Sequence, residues 1–304
     1  MMASDAAAEL VELRGSRSTA RAAFVALRPM QWTKNLLVFA GILFAAELGD
    51  PVRWIEAVVC FVAYCAASSA SYLANDVRDR NADRAHPLKS KRPVASGQLS
   101  ARTALRIAAF LVALSVVLAI GLGPGSLALL GCFLGLQAAY TLSLKHVVLV
   151  DVLSIAGLFV VRAAAGAAAV DVPISPWLLL CTGLLALFLA LGKRRGELVL
   201  VATQQTPGRK VLDGYSLPVI DQFIAIVAAS TIVAYALYTF TARESSSLMV
   251  TIPYVVFGVL RYVLLLNREE AGEEPDVVLV KDAPILAAMC AWAATCVVIQ
   301  LIDY

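Results

Sequence analysis

The chain is 304 residues long, 60% of them hydrophobic and only 15% charged, with a formal net charge of +3 and a mean hydropathy of +0.80. Soluble domains run near half apolar and a quarter charged, so this composition excludes an ordinary water-soluble globule. A charge so close to neutral gives no support to a nucleic-acid partner.

The apolar residues sit in blocks about as long as a bilayer crossing and lack the period-two alternation of a membrane barrel. A spanning helix satisfies its own backbone hydrogen bonds in lipid. The fold class expected is therefore all-α, a polytopic membrane protein with about nine transmembrane helices. The first 23 residues are polar and of mixed charge, without the ordered basic and apolar regions of a signal peptide. They read as a cytoplasmic tail, 1–23, ahead of one membrane domain, 24–304. Crossings are expected near 35–50, 54–74, 103–122, 125–144, 148–170, 174–192, 217–240, 248–266 and 282–301. "GLGPGS" and "VDVPIS" supply tight turns between them.

With nine spans, the tail and the loops after spans two, four, six and eight share one side. That side carries Arg14, Arg17, Arg21, Arg28, Lys34, the bases of residues 78–102, Lys145, Lys193, Arg194, Arg195, Arg209, Lys210, Arg268 and Lys281. The opposite loops hold only Arg53 and Arg243. The excess of bases orients the N-terminus and the charged loops toward the cytoplasm and the C-terminus outward, in the plasma (inner) membrane.

"LRPMQWTKN" opens the first span with Arg28, Gln31, Lys34 and Asn35. Lys34 either reaches a phosphate or snorkels to the interface. After span two, "NDVRDRNADRAHPLKSKRP" gathers acids and then bases. If its helix runs on to Pro87, Asn75, Asp76, Asp79 and Asp83 fall at roughly 0°, 100°, 40° and 80° around the axis. Carboxylates so gathered repel one another unless a cation lies between them, and oxygen-only donors suit Mg²⁺. A solvated helix end with acids paired to neighbouring arginines is the other reading. Lys89, Lys91 and Arg92, in a loop bounded by prolines, suit phosphate charge or anionic membrane lipid. His86 reads as a helix-terminating hydrogen bonder.

Further along, Gln137, Tyr140, Lys145 and Asp151 gather around the fourth loop. Asp151 is either a functional acid or a partner for Lys145, and Arg162, well inside span five, needs an anionic partner. "LGKRRGEL" ends span six with Lys193, Arg194, Arg195 and Glu197, either as a topology signal or as a clamp for an anionic substrate. Glu273, Glu274, Asp276, Lys281 and Asp282 carry no decisive chemistry. The six cysteines all lie in apolar blocks without a CxxC pair and read as buried free thiols. His86 and His146 are too far apart to argue for zinc.

These stretches carry a resemblance. "NDVRDRNADRAHPLKSKRP" resembles the NDxxDxxxD aspartate-rich motif, with its basic extension, of the UbiA superfamily of intramembrane prenyltransferases. "RPMQWTKN", "YTLSLKH", "GKRRGEL" and "EEPDVVLVKD" are similar to its decaprenyl-phosphate phosphoribosyltransferase branch, and the likeness runs from about residue 24 to 301. The resemblance implies nine helices around a central lipid-accessible cavity capped by cytoplasmic loops, with Mg²⁺ and a diphosphate-bearing donor. Ordinary members hold prenyl diphosphate between two aspartate-rich motifs, whereas "GKRRGEL" is basic where the second would be acidic.

The reaction so implied is Mg²⁺-dependent transfer of 5-phosphoribose from phosphoribosyl diphosphate to a polyprenyl phosphate of decaprenyl type, for cell-envelope polysaccharide precursors. In that scheme Asp76, Asp79 and Asp83, helped by Asn75, hold Mg²⁺. Lys89, Lys91 and Arg92 bind the diphosphate, and Lys193 and Arg194 meet the 5-phosphate. Lys34 and Lys145 bind the lipid headgroup, and Asp151 or Glu197 orients a ribose hydroxyl. Tyr140 and Arg162 complete the substrate-binding candidates. A conventional prenyl transfer to an aromatic or quinone precursor is the alternative. A transporter of an anionic metabolite would want polar groups on several helices near mid-membrane, where Arg162 is the main one. A homo-oligomer is compatible with the sequence.

Overall fold

A computed structural model describes residues 19–44, 49–85, 89–204, 210–241, 247–267, 278 and 281–302. Arg14, Arg17, His86, Arg209, Arg243, Arg268, Glu273, Glu274 and Asp276 lie outside the described residues. Those described are helical, without a strand among them. In chain order the helices are α1 (19–26), α2 (Ala40–Phe44), α3 (Pro51–Arg78), α4 (Arg80–Ala85), α5 (Ala101–Gly121) and α6 (Pro124–Leu142). Then come α7 (Val150–Ala169), α8 (Pro176–Gln204), α9 (Leu217–Thr241), α10 (Ile252–Leu266) and α11 (Ala283–Ile302). Local chemistry sets the starts. Pro51, Pro124 and Pro176 open α3, α6 and α8 where a missing N–H costs nothing. Asp50 accepts the Val52 N–H at 2.8 Å, and Ser100 accepts that of Thr103 at 3.1 Å.

Among the described residues seven helices are long and apolar enough to cross a membrane, against the nine expected: α3, α5, α6, α7, α8, α9 and Ser247–Leu266. The last expected crossing is α11, whose described apolar stretch, Ala283–Ile299, is shorter. The first is built differently. Residues Pro29–Phe39 form a 3₁₀ helix that passes into the short α2. Phe110, Val117 and Ile120 of α5 are exposed, an apolar face suited to lipid. Cys60, Cys65 and Cys296 are buried as expected, but Cys132 and Cys290 are exposed. On a lipid-facing helix a thiol stays in apolar surroundings without protein cover.

The chain divides into two compact units, residues 1–138 with 165–172, and 139–164 with 173–304. In the first, α3 packs along α5 through Ala70, Leu73, Ala104 and Ala108, small side chains that bring helices close. The end of α7 meets the 3₁₀ stretch backbone to backbone. A β-carbon on Gly166 would collide with the Val38 carbonyl, and one on Gly41 would lie 2.6 Å from the Ala167 nitrogen. In the second unit α8 packs on α9, with Phe188, Leu191, Ile220, Ile224 and Tyr262 in its core.

Candidate active site

In the first unit the polar centre begins where α1 stops. Proline disfavours helical geometry in the residue before it, so Pro29 forces Arg28 out of the helix. Arg28 adopts φ 55°, ψ 62°, a left-handed conformation costing about 1–2 kcal/mol for a residue with a side chain. The segment is fastened there. Ser69 Oγ of α3 donates to the Leu27 carbonyl at 2.9 Å and accepts Trp32 Nε1–H at 3.0 Å. Asn35, fully buried, donates to Cys65 Sγ at 3.3 Å. Arg28 Nη2 thereby reaches Asp76 Oδ1 at 2.6 Å, with its guanidinium 4.9 Å from the centre of the Tyr72 ring.

Beyond Asp76 the helix breaks at Asp79, the C-cap of α3, and resumes as α4. The hydrogen-bond ladder runs through the break: Asp79 N–H donates to the Asn75 carbonyl and Asp83 N–H to that of Asp79, both at 2.8 Å. Asp83 therefore stays on the face of Asp76, and both are buried. Asn75 and Asp79 are half-buried beside them. The basic companion folds back onto the acids. Lys89–Lys91 make one 3₁₀ turn, where an irregular loop was expected, and Arg84 Nε holds the Ala95 carbonyl at 2.9 Å. Arg92 Nη1 then bonds Asp83 Oδ2 at 2.8 Å and Asp76 Oδ1 at 3.3 Å. Lys89 is half-buried and Lys91 exposed.

The second unit holds a separate buried network. Leu149, at φ 66°, donates its N–H to Tyr215 Oη at 2.8 Å, and Tyr215 donates onward to Asp151 Oδ1 at 2.7 Å. Asp151, with no exposed surface, takes Arg194 Nε on its other oxygen at 2.6 Å. Arg194 also bonds Glu197 at 2.6 Å and Tyr140 Oη at 3.3 Å. Burial, then the bond to Asp151, pushes the Tyr215 hydroxyl up to about 12, so it stays a neutral donor at ordinary pH.

Two expectations change here. "GKRRGEL" lies inside α8, which runs on to Gln204, because Lys, Arg, Glu and Leu are good helix formers and nothing breaks them. The cation on Asp151 is Arg194, where the sequence had offered Lys145. Arg195 bonds Asp221 at 2.6 Å, Asn267 at 3.0 Å and the Leu266 carbonyl, so it caps the end of α10. Arg162 donates to the Leu158 carbonyl at 3.0 Å and lies 5.3 Å from the Phe159 ring. Lys34 is half-buried in the 3₁₀ stretch, Lys145 in the turn Leu144–His146, and Lys193 on α8.

A long α3 ending in buried, arginine-bridged aspartates can now be compared with known proteins. Residues 36–280 match the model of the UbiA prenyltransferase family. The chain belongs to that family. It is 34% identical to the decaprenyl-phosphate phosphoribosyltransferase of Mycolicibacterium smegmatis over 286 residues, 89% of each chain. The enzyme of that name from Mycobacterium tuberculosis (strain H37Rv) is 34% identical over 89% of this chain and 91% of its own. A UbiA homologue from Archaeoglobus fulgidus, solved bound to GPP and Mg²⁺, shares the fold with a TM-score of 0.71 at 18% identity, covering 92% of this chain and 99% of that one. This UbiA protein is thus an integral membrane transferase.

Its aspartates fit Mg²⁺ in kind. Asp76 and Asp83 offer hard oxygens, both within 3.3 Å of one guanidinium nitrogen. Among the described residues no three of histidine, cysteine, aspartate or glutamate form a ready-made metal group. Mg²⁺ commonly takes one or two carboxylates and completes its shell from substrate phosphate and water. Tyr215 and Asp221 were missed in the sequence, and Arg28 was named there without a role. The pair Arg28–Pro29 gave a signal, a cation forced out of a helix; Tyr215 and Asp221 gave none.

Proposed function

We propose that this UbiA-family protein transfers the 5-phosphoribosyl group of phosphoribosyl diphosphate to a polyprenyl phosphate. The observation that carries this reading is the 34% identity, over 89% of both chains, to a protein named for decaprenyl phosphate and phosphoribosyl transfer. The ribosyl C1–O bond to diphosphate breaks and a new C1–O bond forms to the lipid phosphate, giving polyprenylphosphoryl 5-phosphoribose and diphosphate.

Mg²⁺ held by Asp76 and Asp83, with Asn75 and Asp79 in support, would supply positive charge against the diphosphate leaving group. Arg92 and Lys89, with Lys91, hold diphosphate oxygens, the planar guanidinium suiting two at once. Lys193 meets the 5-phosphate, and Lys34 and Lys145 the lipid headgroup; these three assignments rest on charge and chain position. Arg194 is better read as a positioning residue, since its donors already serve Asp151, Glu197 and Tyr140. The lipid phosphate is anionic near neutral pH, so the nucleophile needs placement more than a strong base. The sorting of basic residues supports a cytoplasmic active side.

The test is purified protein with radiolabelled phosphoribosyl diphosphate, Mg²⁺ and decaprenyl phosphate. Label should move into the organic phase only when all three are present. Absence of lipid-linked label, together with transfer from a prenyl diphosphate to an aromatic acceptor, overturns the reading.

A further inference from the structure

We propose that Arg28 is the counter-cation of the donor site before its ligands bind. Its guanidinium neutralises Asp76 until a divalent metal and a diphosphate arrive, and then passes from the carboxylate to a phosphate oxygen. The inference rests on the reading of Asp76 and Asp83 as metal-holding residues.

Charge comes first. Two buried carboxylates face two guanidinia, and the four groups sum to zero. Asp76 Oδ1 accepts from both arginines, at 2.6 Å from Arg28 and 3.3 Å from Arg92. A divalent ion added to this arrangement would meet Asp76 Oδ1 already taken and, even with the half-buried Asp79 counted, leave a positive excess. Both the excess charge and the shared oxygen favour release of one guanidinium.

The two arginines are not equivalent. Arg92 also holds Asp83 at 2.8 Å and sits in the turn that Arg84 fastens through Ala95. Arg28 has Asp76 as its carboxylate and the Tyr72 ring beside it. The two side chains are about equally open, 28% for Arg28 and 29% for Arg92, so the difference lies in their bonds: Arg28 would leave one carboxylate and Arg92 two. The backbone of Arg28 is another matter. The left-handed turn before Pro29 and the Ser69 bridge to Leu27 and Trp32 fix the point from which it swings. A guanidinium pivoting from a rigid base beside an aromatic face is well suited to a diphosphate, which it can grip bidentately while the ring shields its apolar faces.

The consequence is a linkage of opposite signs. Without diphosphate, Arg28 competes with the metal for Asp76. With diphosphate, it holds the same anion that the metal holds and so favours the metal. Diphosphate and metal then strengthen one another's binding partly through this residue.

Mn²⁺, followed by electron paramagnetic resonance on the full-length protein in detergent, tests this, with inorganic diphosphate standing in for the donor's leaving group. Arg28→Gln should bind Mn²⁺ alone about tenfold more tightly than wild type, as expected when a charge-assisted competitor is removed. Diphosphate should then tighten Mn²⁺ binding about tenfold less than it does in wild type. Arg28→Lys, which keeps the charge but loses the planar fork, should match wild type with Mn²⁺ alone and fall short of it only with diphosphate. If Arg28→Gln does not fold, that split in Arg28→Lys carries the test. Mn²⁺ affinities unchanged with and without diphosphate in the folded variants overturn the proposal and leave Arg28 a structural clamp. Failure of wild type and variants alike to bind Mn²⁺ overturns the metal reading beneath it.

Discussion

Arg194→Met is the most demanding perturbation of the second unit. It strips Asp151, which has no exposed surface, of a guanidinium 2.6 Å away, and among the described residues leaves the carboxylate only the Tyr215 hydroxyl. Breaking one side of a buried ion pair costs about 3–5 kcal/mol, against about 5–15 kcal/mol for the stability of a typical domain. Asp151→Asn keeps a polar group for Tyr215 and leaves Arg194 its bond to Glu197, so about 1–3 kcal/mol is expected. The double variant leaves no charge stranded at position 151 and should be more stable than the sum of the two losses by about 2–3 kcal/mol. Unfolding in mixed detergent micelles at rising SDS fraction, followed by tryptophan fluorescence, reads all three. An Arg194→Met protein that unfolds like wild type while losing affinity for phosphoribosyl diphosphate would refute the reasoning and make Arg194 a substrate ligand.

Asp79→Asn should lower turnover by about a hundredfold or more while the unfolding midpoint stays put; normal turnover removes Asp79 from the metal set. Gly166→Val puts a β-carbon into the Val38 carbonyl and should cost about 1–3 kcal/mol in the same unfolding assay. Gly258→Ala, with open space around the new carbon, serves as the control and should cost nothing. The Tyr215 hydroxyl titrates near 12 when folded and near 10 when free, so its contribution is whole below about pH 10 and fades as pH rises toward 12. Between those values wild type should lose stability faster than Tyr215→Phe; parallel curves would mean that the hydroxyl is not held as described.

Helices that depend on their own residues were legible in the sequence. Apolar runs, with "GLGPGS" and "VDVPIS" as breaks, located α3, α6 and α8 within a few residues at their starts, because such signals act locally. The aspartates were legible for the same reason: a helical ladder carried through Asp79 fixes Asp76 and Asp83 on one face. The 3₁₀ course of Pro29–Phe39 was not legible, and its end packs backbone to backbone on Gly166, a pairing across more than a hundred residues that no local pattern announces. The charges of "GKRRGEL" suggested a loop, but helix propensity prevailed once α8 had neighbours to bond those charges. Tyr215 lies 64 residues from Asp151, and no local pattern announces such a pairing.

Successive residues of an α-helix point about 100° apart. Placed on α8, Lys193, Arg194 and Arg195 therefore fan out and cannot act together as a basic patch. Arg194 is outnumbered by Asp151 and Glu197, and Arg195 is balanced by Asp221. A motif that spells three positive charges in print is electrically close to neutral once folded, and its long-range pull on an anion is small. On the proposed reaction, donor capture should then depend on ionic strength through the first unit's lysines far more than through this motif, which gives each unit a distinct electrostatic signature in a salt titration.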